Sequence, residues 1–167
     1  MDWNALGAIS ELIAASAFII SFSFVGYQLK QNREMERANN QREILNTARN
    51  FFSIARSDSR ILIAVSECMK NYTGATQEKK FIFTSWVVDF MLLYEQAFYM
   101  KRDGYINQAS YIGFENLCLS IFVTEGGQEI WPLLKNSWGE DVSLYFEKRL
   151  KDSEGVITKH YELMPYL

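Results

Sequence analysis

The sequence predicts an all-α fold, with one long N-terminal transmembrane helix continuing into a small cytoplasmic helical bundle. Three observations carry that expectation. Residues Leu12–Leu29 (LIAASAFIISFSFVGYQL) run for eighteen positions without a charged side chain. At about 1.5 Å per residue they cover roughly 27 Å, close to a hydrocarbon core of about 30 Å. Lys30, Arg33, Arg37, Arg42 and Arg49 follow at once, whereas no Lys or Arg precedes the stretch. Finally, no later segment alternates β-branched with polar residues over a useful length, so strand signals are missing.

The first element spans residues 1–29. Trp3 and Tyr27 lie near its ends, where amphipathic rings favour the headgroup region. Two other identities compete for this segment, a cleaved signal peptide and a buried core helix. The signal peptide lacks its positive n-region, and Ala15-Ser16-Ala17 lies inside the apolar run, not after it. A core helix of this apolarity is usually shorter. Cationic flanks stay on the cytoplasmic side, which predicts an outside N-terminus and a cytoplasmic C-terminal domain.

Residues 30–43 read as a polar helical stalk without Gly or Pro, supported by spaced charge pairs such as Glu34 with Arg37. Between 30 and 60 there are seven basic residues (30, 33, 37, 42, 49, 56, 60) against four acids (34, 36, 43, 58). Lys30, Arg33 and Arg37 therefore join Trp3 and Tyr27 as interfacial anchors, with anionic lipid as a natural contact. The overall charge of −3 argues against nucleic acid as a partner.

Residues 44–152 predict the bundle. Ile44, Leu45, Ala48, Phe51, Phe52 and Ala55 recur with helical spacing on one side, so this part of the first helix must pack on something. Ser57 and Asp58 offer capping oxygens for a helix over 59–72, closed near Thr73 and Gly74. Thr76 caps a long helix from Gln77 to Arg102, which Gly104 ends. Asn107 caps a fourth helix reaching Val123. The Gly126-Gly127 pair and Pro132 predict a short, kinked helix over 128–136. After Gly139 a last helix runs from Glu140 to Lys151, and the tail, 153–167, shows no periodicity. The run Phe81–Met100 carries only Asp89 and Glu95. Acids near mid-bilayer cost about 2.5–3.5 kcal/mol each, so a central bundle helix is preferred to a second span.

Within the apolar segment Gly7, Ser10, Ala14, Ala17 and Ser21 fall at spacings of 3, 4, 3 and 4, all on one helix face. Lipid gives helices no hydrophobic reason to associate, and small residues permit the close backbone approach that replaces it. The face therefore predicts contact with another transmembrane helix, in a second copy or in a larger membrane complex. Glu11 lies beside it. There it either snorkels to the outer headgroups or makes a hydrogen bond into a neighbouring helix.

Catalytic constellations are missing. His160 is the one histidine, no Cys/His cluster has metal spacing, and no Gly-rich loop or G-x-S-x-G motif occurs. No cofactor, metal site or enzymatic activity is expected. Asp89 and Glu95 are expected to satisfy buried donors, Trp86, Trp131 and Trp138 to fill the core, and Cys68 and Cys118 to be small reduced hydrophobes. Asn71-Tyr72-Thr73 matches a glycosylation acceptor that a cytoplasmic location would leave unused.

Trp3, Gly7, Glu11, Ser21, Tyr27, Gln28 and Asn32, spaced as WNALGAISELIAASAFIISFSFVGYQLKQN, resemble the opening of a family of small uncharacterised bacterial single-span membrane proteins abundant in marine proteobacteria. The likeness extends to EQAFYMKRDGYI and to GGQEIWPLLKNSWGEDVSLYFEKRL, whereas residues 50–90 match only in hydrophobic character. The family's usual Trp in the fourth helix is replaced here by Tyr111 or Phe114. The resemblance implies a single-span anchor with a cytoplasmic helical domain, placed in a bacterial inner (plasma) membrane, and no activity. The functional expectation is thus a non-enzymatic interaction module, either an accessory subunit of a membrane complex or a small homo-oligomer. The alternative is a membrane-tethered sensor whose bundle binds a small apolar or lipid-like ligand.

Overall fold

Four side-chain oxygens set where the bundle's helices begin. In a computed structural model describing residues 3–162, Asp58, Thr76, Asn107 and Thr124 each accept a hydrogen bond from a backbone N–H of the helix that follows. Each oxygen satisfies one of the donors that a helix start leaves free. The elements are α1 (Trp3–Ser57), α2 (Ser59–Lys70), α3 (Gln77–Arg102), α4 (Gln108–Phe122), α5 (Glu125–Leu134) and α6 (Glu140–Asp152). Short 3₁₀ turns occur at Lys135–Ser137 and His160–Glu162, and no strand occurs among the described residues. The chain is all-α.

Two compact units divide it, residues 1–39 and 40–167. In the first, α1 carries the apolar stretch, and every side chain described there is exposed. The expected pair of Glu34 with Arg37 is not formed, although both are described and exposed. An exposed pair gains only a few tenths of a kcal/mol, which solvation and side-chain entropy offset.

In the second unit, packing begins at Asn40 and Gln41, a little before the expected stripe. Gln41 donates to Ser110 Oγ at 2.6 Å and accepts from Asn107 Nδ2 at 2.9 Å, which ties this turn of α1 to the start of α4. Ile44 and Ala48 are buried, and Phe51 and Phe52 pack on the core. Leu45 stays exposed, because it sits on the edge of the stripe. The side chain of Ala55 lies outside the described residues. Phe51 stacks on Phe90 with ring centroids 5.4 Å apart.

The apolar run of α3 is core. Phe83, Trp86, Val87, Phe90, Met91 and Tyr94 are buried among the other helices. Its two acids part company. Glu95 Oε1 accepts the part-buried Gly139 N–H at 3.0 Å and so helps start α6. Asp89 is exposed and satisfies no buried donor. It falls on the outer stripe of α3 with Phe81, Ser85 and Leu92, four residues apart or nearly so.

The helix after α4 begins earlier than expected, at Glu125 and not Gln128. Gly126 and Gly127 form its first turn instead of a preceding loop. Thr124 Oγ1 accepts the Gly127 N–H at 3.0 Å, which recruits both glycines into the helix. Neither position has room for a side chain: a Cβ on Gly126 would overlap the Cys68 carbonyl oxygen, and one on Gly127 the Ile121 carbonyl oxygen. Gly126 lets α5 meet α2 backbone to backbone, and Gly127 lets it turn closely away from the end of α4. Pro132 lies within α5, which then tightens into the Lys135–Ser137 turn.

Trp86, Trp131 and Trp138 are core residues, and Cys68 and Cys118 are buried free thiols. The segment after α6, aperiodic in sequence, returns to the bundle through Ser153, Ile157 and His160. Residues 163–167 of the tail lie outside the described residues.

Candidate helix-packing face and a buried polar network

Helical geometry places Gly7, Ser10, Ala14, Ala17 and Ser21 within an arc of about 80° on α1, with Glu11 about 40° beyond Gly7. All six are exposed, and a Cβ on Gly7 would meet nothing within 4 Å. Nothing in the chain itself therefore requires glycine at that position. The serines behave differently. Ser10, Ser16, Ser21 and Ser23 each donate the hydroxyl to the carbonyl four residues earlier, at 2.8–3.0 Å. Their polar hydrogens are satisfied inside the helix, which removes most of the penalty for placing a hydroxyl in hydrocarbon.

Trp3 and Tyr27 are exposed, and Tyr27 OH accepts from Gln31 Nε2 at 2.9 Å. Lys30, Arg33 and Arg37 are exposed and share one side of α1 by their spacing. Among the described residues one helix is long and apolar enough to cross a membrane, with an 18-residue window of mean hydropathy 1.9, none of it buried. A core helix of a folded domain would lose that surface to its own chain. Glu11 makes no ion pair among the described residues.

The bundle holds a polar cluster that the sequence reading did not identify. Glu115, on α4, is 1% exposed. Its Oε2 accepts from Arg149 Nε of α6 at 2.9 Å, and its Oε1 accepts from Tyr94 OH of α3 at 3.2 Å. With that proton committed to the carboxylate, the Tyr94 oxygen is the acceptor for Tyr111 OH at 2.9 Å. Burial first, and then the neighbouring hydroxyl and carboxylate, pushes the Tyr94 phenol far above its ordinary range. Burial does the same to Tyr111. The hydrogen bond to Glu115 holds the Arg149 guanidinium above its already high value. Both phenols thus stay protonated donors, and the cluster ties α3, α4 and α6 together. Every member has a partner, so it has no spare group to offer a substrate.

His160 is also placed by the fold. It is 4% exposed, stacked on Phe52 at 6.1 Å, with Nδ1 3.1 Å from Ser120 Oγ. Ser120 spends its own proton on the Leu117 carbonyl at 2.6 Å, which makes Nδ1 the donor and the ring the Nδ1–H tautomer. Beside it, Glu125 receives Lys159 Nζ and, at 2.8 Å, Tyr161 OH. Those bonds, the Lys159 one first, hold the Glu125 carboxyl down at about 2. No group of three His, Cys, Asp or Glu side chains among the described residues is placed to hold a metal ion.

No protein-family model, curated protein or solved structure matches the chain.

Proposed function

We propose that this chain is a single-span inner-membrane protein that acts as a non-enzymatic interaction module, as an accessory subunit of a membrane complex or as a small homo-oligomer. The apolar part of α1 sits in lipid with its N-terminus outside, and the bundle is cytoplasmic. The face formed by Gly7, Ser10, Ala14, Ala17 and Ser21 meets another transmembrane helix, with Glu11 at its edge, snorkelling to the outer headgroups or hydrogen-bonded into that neighbour. One observation carries the proposal: a charge-free helical stretch none of which is buried by its own chain. The serine hydroxyls folded onto their own helix, and the basic side that follows the stretch, support it. The resemblance of the opening residues to a family of small bacterial single-span membrane proteins agrees with the same assignment.

Two experiments test it. After cell lysis and an alkaline carbonate wash, the full chain is expected in the membrane pellet. Recovery in the soluble fraction rejects the anchor. In a membrane two-hybrid assay, replacing Ala14 and Ala17 together with Leu is expected to reduce association severalfold by blocking close approach. Unchanged association rejects this face.

A further inference from the structure

The series of small residues on α1 does not stop at Ser21. Continued with the same alternation of threes and fours, it runs through Phe24, Gln28, Gln31, Met35 and Ala38, well into the polar stalk. All five side chains are exposed, Phe24 and Met35 at 58% each. From Gly7 to Ala38 not one position of the series is charged. Chance does not favour that in the stalk, where Lys30, Arg33, Glu34, Glu36 and Arg37 make up five of the nine residues from 30 to 38. Two inward positions in every seven form the register of a left-handed supercoil of helices. In that register Lys30, Arg33, Glu36 and Arg37 fall on the side turned away from the seam, and only Glu34 flanks it. The first charge to land on the series is Arg42, beside Gln41, whose own side chain is already engaged with Ser110 and Asn107.

The pattern of charge selects the occupant. Copies of one chain inserted the same way round lie parallel, and in a parallel two-fold pair each seam residue meets its own counterpart. A charge there would face a like charge, whereas a different helix could offer an opposite one. A seam that excludes both signs is the one that a second copy requires. The residues that replace charge suit it as well. A Gln side chain is both donor and acceptor, so Gln28 and Gln31 can each hydrogen-bond to their own copies. Polar amides at inward positions also fix register. The flanks raise no objection: the two Glu11 side chains, like the two of Glu34, fall on opposite sides of such a pair.

We infer that two copies of this chain pair in parallel along one seam, in which the small residues of the apolar stretch and the uncharged side of the stalk are continuous. The inference rests on the proposed function and narrows its partner to a second copy.

The test is disulfide scanning of the full chain in cell membranes oxidised with copper phenanthroline, with the unsubstituted chain as background. Gln28→Cys, Gln31→Cys and Met35→Cys lie on the seam; Lys30→Cys, Arg33→Cys and Arg37→Cys lie off it. A disulfide needs Cα atoms about 4.4–6.8 Å apart, a separation that only facing seam positions reach. The linked dimer should therefore be severalfold more abundant at all three seam positions than at the other three. Met35→Lys, which sets like charges face to face, should lower the Gln31→Cys yield severalfold, whereas Glu36→Lys on the outer side should leave it unchanged. Equal yields on and off the seam overturn the proposal. So do a dimer at one seam position alone, which marks a crossed pair, an adduct of another mass in place of the dimer, and indifference to Met35→Lys. An alkaline carbonate wash of the same membranes judges the anchor separately. Chain kept in the pellet without seam dimers rejects the pairing and leaves the anchor standing; seam dimers released to the supernatant do the reverse.

Discussion

Removing Arg149 leaves the Glu115 carboxylate buried with only a phenol to face, whereas removing the charge of Glu115 leaves a guanidinium that is about one-third exposed. The two substitutions are therefore unequal. Arg149→Ala should cost about 3 kcal/mol of unfolding free energy and Glu115→Gln clearly less, measured by urea denaturation. Equal effects would mean that the ion pair is not what holds the cluster. Histidine gives a second prediction at this scale. Burial lowers the His160 pKa below its usual 6.5, so the unfolded chain takes up its proton first as the medium acidifies. The associated stability is complete above pH 6.5 and declines as pH falls through the lowered folded value. As His160 is the one histidine in the sequence, His160→Phe should remove that slope. Glu125 acts in a separate window, with a contribution present above 4.5 and lost toward about 2. Little of this was legible in advance. Thirty-four residues separate Arg149 from Glu115, and no local pattern marks such a tertiary pair. The one sign was a lone acid, Glu115, in an otherwise uncharged helix.

At the scale of helices, glycines give opposite expectations depending on what lies above the backbone. Gly113 sits on the exposed side of α4, where a Cβ would meet nothing within 4 Å. Gly113→Ala should stabilise the chain by about 0.5–1 kcal/mol through helix propensity. Gly126→Ala, in contrast, drives a methyl into the Cys68 carbonyl and should cost more than about 2 kcal/mol, read as a fall in thermal midpoint. Helix starts were well marked in the sequence because caps are local: Asp58, Thr76 and Asn107 lie one residue ahead of the helices they open. The start of α5 was misplaced because Gly-Gly normally signals a loop, and only tertiary approach explains two glycines in a first turn: α2 crowds Gly126, and the end of α4 crowds Gly127. Asp89 was misassigned for a related reason. An apolar helix in the core still has an outer stripe, and periodicity over so many large residues does not show where that stripe runs.

For the whole molecule, the decisive property is where the charge-free stretch resides. Ile19→Asp, near its middle, adds a penalty of about 3 kcal/mol for a lipid-inserted helix. It should shift the chain from the membrane pellet toward the soluble fraction, as followed by immunoblot. Lys30→Ala together with Arg33→Ala should change topology far more than it changes the stability of the bundle, as scored by reporter fusions at the C-terminus. All-α architecture was legible because helical periods and caps recur along the chain while strand patterns do not. The packing of the last segment was not, since Ser153, Ile157 and His160 dock singly, without a repeating period.

Both native thiols are sealed within the bundle, Cys118 Sγ lying 3.6 Å from Met91 Sδ, and burial raises the pKa of each. Maleimides should pass them by while the protein is folded. A single cysteine introduced at Trp3 or at Lys30 then becomes the sole reactive sulfur in the native chain. Impermeant reagents applied to whole cells would report sidedness directly, with no need to engineer away the natural residues.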